Sequence, residues 1–208
     1  MAEKQVEAHE KMNFVALIFG AKGYGKSKSV KTALQKKLPL FRRVVIIDIE
    51  EEYNQNHHVE YRSYTRSDFI KIAKNVWNKD ESFVIAHTSE EDDQEIFDIL
   101  FDLQGVSEKP LTLIVDEAHH WGKSDKDLAK ILRRGRHRRI STILITHRPP
   151  DLDPMFRLQA DMIISFRQTQ KIDIEAFRHF MDEPERLMKL KRDQHIIVAR
   201  NDTKDLNF

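Results

Sequence analysis

Residues 12–19 form an almost wholly apolar stretch that runs directly into Gly20-Ala-Lys-Gly-Tyr-Gly-Lys-Ser27. No other feature narrows the possible folds as far, because a buried strand must stop at a tight glycine curl and hand over to a helix. The spacing is G-x-x-x-x-G-K-[ST], in which glycines let successive N–H groups point inward and the helix start adds its positive dipole end. Such a cup suits a nucleoside triphosphate, and a chance glycine turn would lack both flanking elements. The candidate nucleotide-binding residues are Gly20, Ala21, Lys22, Gly23, Tyr24, Gly25, Lys26, Ser27 and Lys28. Lys26 is spaced to reach the β- and γ-phosphates, and the Ser27 hydroxyl to ligate Mg²⁺. Lys22 has two readings, a phosphate contact or a solvated loop lysine.

Further apolar, β-branched runs recur at residues 44–49, 82–86, 111–115, 140–146, 162–166 and 195–199. Helical stripes alternate with them: Val30, Ala33, Leu34 and Leu38; Phe69, Ala73, Val76 and Trp77; Ile96, Ile99, Leu100 and Leu103; Leu128, Ile131 and Leu132. The last third adds Ile174, Phe177, Phe180 and Met181, with another helix expected over 185–190. Continuous apolar strands between amphipathic helices predict an α/β fold, a mostly parallel sheet with helices on both faces. At 208 residues the expectation is a single domain over 1–208, with a core of about 12–200 and a short tail at each end. Acidic patches at 50–52 and 90–93 fall at element ends, the second suiting a helix N-terminus.

The run Leu111-Thr-Leu-Ile-Val ends in Asp116-Glu117, an apolar strand that delivers two carboxylates. Asp116 is placed to hold the Mg²⁺ shell, and Glu117 to orient or deprotonate an attacking water, which implies hydrolysis as well as binding. Two acidic residues capping a helix are the plainer alternative, and the phosphate loop upstream argues against it. The 140–146 strand ends in His147-Arg-Pro-Pro. His147 is either a sensor of the γ-phosphate or a strand-end histidine facing water. Ahead of that strand, Arg133, Arg134, Arg136, Arg138 and Arg139 crowd one segment, and Lys126 and Lys130 join Arg133 and Arg134 on one helix face. With few acidic residues nearby in sequence to pair with it, this face is a solvated surface, a contact to a neighbouring subunit's nucleotide, or a DNA contact. His57-His58 and His119-His120 are adjacent pairs with diverging side chains and no third ligand, which argues against a metal site. Trp77 and Trp121 read as core and cap residues.

Composition excludes more than it assigns. Zero cysteines exclude disulfides, thiolate zinc sites and thiol catalysis. A net charge of +1 carries no bulk basicity, though a motor gripping DNA through a few loops would need none. No window approaches the roughly 18 apolar residues of a membrane span, and the charged first ten residues carry no apolar leader. The expectation is a soluble protein, intracellular or carried in a particle.

Four segments, in order, resemble the HerA/FtsK superfamily of DNA-pumping ATPases. They are Gly20–Ser27, the second-strand run Ile47-Asp-Ile-Glu-Glu-Glu-Tyr53, Val115-Asp-Glu-Ala118, and Gly135-Arg-His-Arg-Arg-Ile-Ser-Thr-Ile-Leu-Ile-Thr-His-Arg-Pro-Pro-Asp-Leu152. The closest likeness is to the short genome-packaging ATPases of tailless, membrane-containing icosahedral dsDNA viruses, and it spans roughly residues 12–200. The resemblance implies a RecA-like additional-strand P-loop NTPase with core strand order 5-1-4-3-2, hydrolysing ATP with Mg²⁺ to drive dsDNA into a preformed capsid. It also implies a ring of copies, pentamer or hexamer, with capsid or packaging-vertex proteins as further partners, in the virion or the host cytoplasm. Lys26, Glu117, Arg136 and His147 become the catalytic set, with Arg136 a trans-acting arginine finger, Ser27 and Asp116 on Mg²⁺, and Asp48 and Glu52 flanking the site. The family usually has Gln where this chain has His147. Rival readings are a cellular or plasmid DNA pump, a nucleotide kinase with an arginine-rich lid, or an assembly protein with a vestigial ATPase domain. A DEAH-box helicase would need two such domains, and a partition ATPase would place its extra lysine one position earlier than Lys22.

Overall fold

A computed structural model describes residues 13–36, 39–79, 81–88, 93–121 and 126–199. Its sheet contains strands β1 (Val15–Phe19), β2 (Arg43–Ile47), β3 (Tyr61–Ser63), β4 (Phe83–His87), β5 (Leu111–Val115), β6 (Ile140–Thr146), β7 (Met162–Ser165) and β8 (Ile196–Ala199). Strand order is β3-β4-β2-β5-β6-β1-β7-β8, parallel throughout except for β8, which runs antiparallel to β7. If β1, β2, β5, β6 and β7 are counted as core strands one to five, their order across the sheet is 5-1-4-3-2. β3 and β4 extend the sheet beyond β2, and β8 extends it beyond β7.

Every residue of β1, β2, β4, β5, β6 and β7 is buried, which is why these strands read as unbroken apolar runs rather than alternating ones. The alternation reappears in three dimensions. Ala16, Ile18, Val44, Ile46, Ile114, Ile143 and Ile145 pack on one face with Val30, Ala33 and Leu34 of α1 (Lys26–Gln35). Val15, Leu17, Phe19, Val45, Ile47, Leu113 and Val115 pack on the other face against α2 (Arg66–Val76), α3 (Asp93–Gly105), α4 (Lys126–Arg134), α5 (Pro154–Gln159) and α6 (Lys171–Phe177). Both faces are covered, very unevenly, and the phosphate-loop helix stands almost alone on its side.

Two elements escape the sequence pattern. β3 is a three-residue strand at the sheet's rim, too short and too polar to register as an apolar run. α5 has six residues, begins on Pro154 and is capped by the Asp153 carboxylate, which accepts the Met155 N–H at 2.7 Å. The helix expected at 185–190 is a 3₁₀ turn, Pro184–Lys189, and Phe180 and Met181 lie past the end of α6. Trp77 and Trp121 are buried as expected. Asp93 opens α3, while the rest of the 90–93 patch, Leu38 and both chain tails lie outside the described residues.

Candidate functional site

Strand register brings the motifs together. Phe19 pairs with Thr146, Val115 with Leu144, and Ile47 with Val115, so the residues following these strands meet at one end of the sheet. The Gly20 N–H donates to the His147 carbonyl at 3.2 Å, and the Asp116 N–H donates to the Ile47 carbonyl at 3.1 Å. A cavity of about 680 Å³ opens there. Its walls are Lys22, Gly23, Gly25, Lys26, Ser27 and Lys28 from the loop, Glu117, His119, His120 and His147 from the strand tips, and Glu50, Glu52 and His57 from the loop after β2. Lys31, Thr32 and Gln35 of α1 and Arg192 and Asp193 near the C-terminal end complete it.

The glycines answer two separate constraints. A side chain on Gly20 would put its Cβ 2.6 Å from the Cβ of Phe166, because the loop leaves β1 hard against the strand beside it. Gly25, which caps α1, has φ +108°, a conformation that favours glycine. Gly20, Ala21 and Tyr24 were expected among the nucleotide contacts, yet they do not line the cavity. Their N–H groups are spent on the carbonyls of His147, Arg167 and Ala21, which sets the curl of the loop. The loop residues that line the cavity are Lys22, Gly23 and Gly25–Lys28.

Lys26 is buried, and its Nζ lies 2.8 Å from His147 Nδ1. An ammonium can only donate, so Nδ1 is the acceptor and the His147 proton sits on Nε2, which lies 3.1 Å from Glu117 Oε1. Burial pushes Lys26 below its ordinary value, against the pull of Glu117, Asp116 and Glu52. Burial also works to raise the Glu117 carboxyl, but the hydrogen bond from His147, with the nearby Lys26 ammonium, outweighs it and leaves the carboxyl below its ordinary value. Glu117 has φ +52°, a left-handed backbone that an unbranched side chain adopts at some cost and that aims the carboxylate into the cavity. His119 Nδ1 lies 3.2 Å from Glu117 Oε2 without hydrogen-bond alignment. The His119 and His120 rings lie 4.5 Å apart and both face the cavity, so this pair does not diverge as expected.

Asp116 is buried behind the cavity wall. One carboxylate oxygen accepts the Glu117 N–H at 2.9 Å and the other accepts the Tyr53 O–H at 2.9 Å. Burial pushes its carboxyl up to about 6, partly offset by hydrogen bonds from Tyr53, Glu117 N–H and Ser27. The Ser27 hydroxyl and the Asp116 carboxylate are hard oxygen donors that fit Mg²⁺, and a cation there would relieve the cost of burying the carboxylate. Among the described residues no group of three or more His, Cys, Asp or Glu side chains could hold a metal ion.

Arg136 lies apart from this cluster. Its carbonyl accepts from Asn13 ahead of β1, and its guanidinium pairs with Asp161, whose carboxylate also accepts the N–H of Val15, the first residue of β1. These contacts put it at the amino end of the strands, opposite the cavity. The cationic face around it has acidic partners after all, brought in by the fold: Lys130 pairs with Asp98 of α3, and Arg136 with Asp161. Asp48 and Glu52 also part company. Asp48 is fully buried and accepts the N–H groups of Glu52 and Tyr53, while Glu52 lines the cavity and pairs with Lys31 at 2.6 Å.

Sequence reasoning missed the turn at 191–194. The Asp193 N–H donates to the Tyr24 carbonyl at 3.1 Å, and its carboxylate pairs with Lys28 at 2.8 Å, so the turn closes directly over the loop. It also missed Tyr53 as a partner of Asp116.

A buried strand, glycine curl and helix start, facing a strand tip with two carboxylates across a parallel sheet, define the fold of a P-loop NTPase. Solved structures share it. The genome packaging NTPase B204 of Sulfolobus turreted icosahedral virus 2, in complex with ATP-gammaS, superposes with a TM-score of 0.71 at 22% identity, covering 91% of this chain and 93% of that one. B204 of Sulfolobus turreted icosahedral virus, described as a DNA-packaging ATPase, gives 0.67 at 22% identity, covering 91% and 98%. VirB4 of Thermoanaerobacter pseudethanolicus gives 0.63 at 14% identity, covering 91% and 88%. No protein-family model matches the chain, and no curated protein sequence does. At these identities the likeness is one of fold. Among the described residues no helix is long and apolar enough to cross a membrane.

Proposed function

We propose that this chain is an Mg²⁺-dependent ATPase of the HerA/FtsK superfamily, a motor that drives dsDNA, and that its task is packaging viral DNA into a preformed capsid. The observation that carries the reading is the Lys26–His147–Glu117 chain of contacts in the cavity, with Asp116 and Ser27 behind it. The fold shared with proteins described as packaging NTPases supports the task.

In this reading the amides at Gly23 and Gly25–Lys28 cradle the phosphates, and the nucleoside leaves past Lys28 and the 191–194 turn. Ser27 and Asp116 would hold Mg²⁺, which when bound would supply neutralisation of phosphate charge. Arriving phosphate draws the Lys26 ammonium away from His147. Glu117 then orients the water and takes its proton, while His147, released from Lys26, hydrogen-bonds according to whether the terminal phosphate is present. Arg136, at the opposite end of the strands from its own cavity, serves the cavity of a neighbouring copy in a ring. Grip on DNA is electrostatic and independent of sequence.

The test is ATP turnover with and without dsDNA, for wild type and Glu117→Gln. Wild type should hydrolyse ATP faster with dsDNA, and Glu117→Gln should bind ATP yet turn over at least 100-fold more slowly. Undiminished turnover by the variant would overturn the reading, and transfer of phosphate to a nucleotide or metabolite would replace it with a kinase.

A further inference from the structure

We infer that Tyr53 is a positioning residue for Asp116, its phenol O–H holding the carboxylate in the orientation that faces Ser27. The inference rests on the proposed ATPase reading, in which Asp116 and Ser27 hold Mg²⁺.

Tyr53 is completely buried, and its O–H donates to Asp116 Oδ2 at 2.9 Å. Packing alone does not require that hydroxyl, since a phenylalanine would fill the same space. A buried polar end stabilises the fold little unless it is used, and a buried carboxylate left without a donor is costly. The phenol is itself held. Tyr53 N–H donates to Asp48 Oδ2 at 3.2 Å, Glu52 N–H donates to Asp48 Oδ1 at 2.8 Å, and Arg62 Nη2 donates both to Asp48 Oδ2 at 3.0 Å and to the Tyr53 carbonyl. Asp48 is anchored in turn by its own N–H on the His87 carbonyl at 2.8 Å. Arg62 Nη1 reaches the hydroxyl of Thr88, beyond β4. The chain Thr88–Arg62–Asp48–Tyr53–Asp116 thus runs from the far side of the sheet to the carboxylate. On the other side of the ring, Lys31 Nζ lies 5.0 Å from its centroid, and Lys31 lines the cavity. With the Glu117 N–H on Oδ1 and the Tyr53 O–H on Oδ2, both oxygens are fixed from the protein side. Each of these bonds takes one lone pair of its oxygen, which leaves acceptor capacity for a cation. Partners of this kind behind a metal ligand typically govern metal affinity by 10–100-fold.

The experiment is a Mn²⁺ titration, followed by electron paramagnetic resonance, on protein saturated with AMPPCP. It compares wild type, Tyr53→Phe, Asp116→Asn and the double variant, with melting temperatures measured in EDTA. Tyr53→Phe should weaken Mn²⁺ binding about 10-fold while leaving AMPPCP affinity in EDTA unchanged. In the Asp116→Asn background the tyrosine change should add nothing. Wild-type Mn²⁺ affinity in Tyr53→Phe, beside a clear loss in Asp116→Asn, would overturn the positioning role and leave the ATPase reading standing. Wild-type affinity in Asp116→Asn would remove both. If Tyr53→Phe does not fold, Arg62→Lys decides: it keeps the phenol but loosens its seat, so a several-fold loss of Mn²⁺ affinity is expected and an unchanged affinity overturns the inference.

Discussion

Asp116 should destabilise the metal-free protein, and replacing it by asparagine should make the fold stronger while removing its function. Its carboxyl is pushed up to about 6, with burial the largest cause, against about 3.9 in an unfolded chain. For a carboxyl raised on folding, the native state binds the proton more tightly. The penalty is therefore absent below the unfolded value, grows as pH rises, and is complete above the folded one. Two units correspond to about 3 kcal/mol at pH 8, and the same linkage gives about 1.5 kcal/mol at pH 5. Asparagine carries no charge and keeps an oxygen for the Tyr53 O–H, but its amide group then faces the Glu117 N–H. The lost hydrogen bond takes back about 1 kcal/mol. Asp116→Asn should thus be more stable than wild type by about 2 kcal/mol at pH 8 and by about 0.5 kcal/mol at pH 5. Urea unfolding in EDTA at the two pH values measures this, and adding Mg²⁺ with a nucleotide should narrow the gap by stabilising wild type more than the variant. A variant less stable than wild type at pH 8, or a difference that does not change between pH 5 and 8, would refute the argument that this carboxylate is buried at a cost.

Two further substitutions probe the loop and the opposite end of the sheet. Arg136→Ala removes an exposed ion pair with Asp161 and should cost less than about 1 kcal/mol of stability. It should bind ATP normally yet fail to hydrolyse it in the assembled state, and wild-type turnover by a strictly monomeric Arg136→Ala sample would reject the finger role. Gly25→Ala forces a side chain onto φ +108° and drives its Cβ to 2.6 Å from Asp193 Oδ1. Strain of about 1–2 kcal/mol plus displacement of the 191–194 turn should lower ATP affinity at least 10-fold by calorimetry. Unchanged affinity would show that the turn does not close on the nucleotide.

The sheet was readable because each interior strand is buried on both faces, so its apolar run survives whatever packs on either side. β3 and α5 were not, because a three-residue rim strand and a proline-led single turn carry no periodicity to detect. The uneven layering was equally hidden. Amphipathic stripes on α1 and α2 declare that each helix packs, but not on which face. That depends on crossover handedness and on the polar β3 being inserted beyond β2.

The site follows the same division between what a strand end announces and what the topology assembles. Lys26, Asp116, Glu117 and His147 each follow an apolar strand or its glycine turn, and β1, β6 and β5 are neighbours whose registers end within two residues of one another, so spacing alone locates them. Arg136 precedes its strand, and in a parallel sheet that single fact sends it to the opposite rim. Under the proposed reading it would therefore act on a nucleotide held by another copy. Tyr53 and the 191–194 turn follow neither rule. Tyr53 reaches Asp116 because β2 lies beside β5, with Ile47 paired to Val115, and the loop after β2 folds back over that pair. Asp193 reaches the phosphate loop because β8 returns antiparallel beside β7, which delivers the turn before it to the carboxyl end of the parallel strands. Both depend on which strands are adjacent, a property of the completed sheet rather than of any local run of residues. The parts that aim and enclose the chemistry are therefore the parts that no motif spacing could have disclosed.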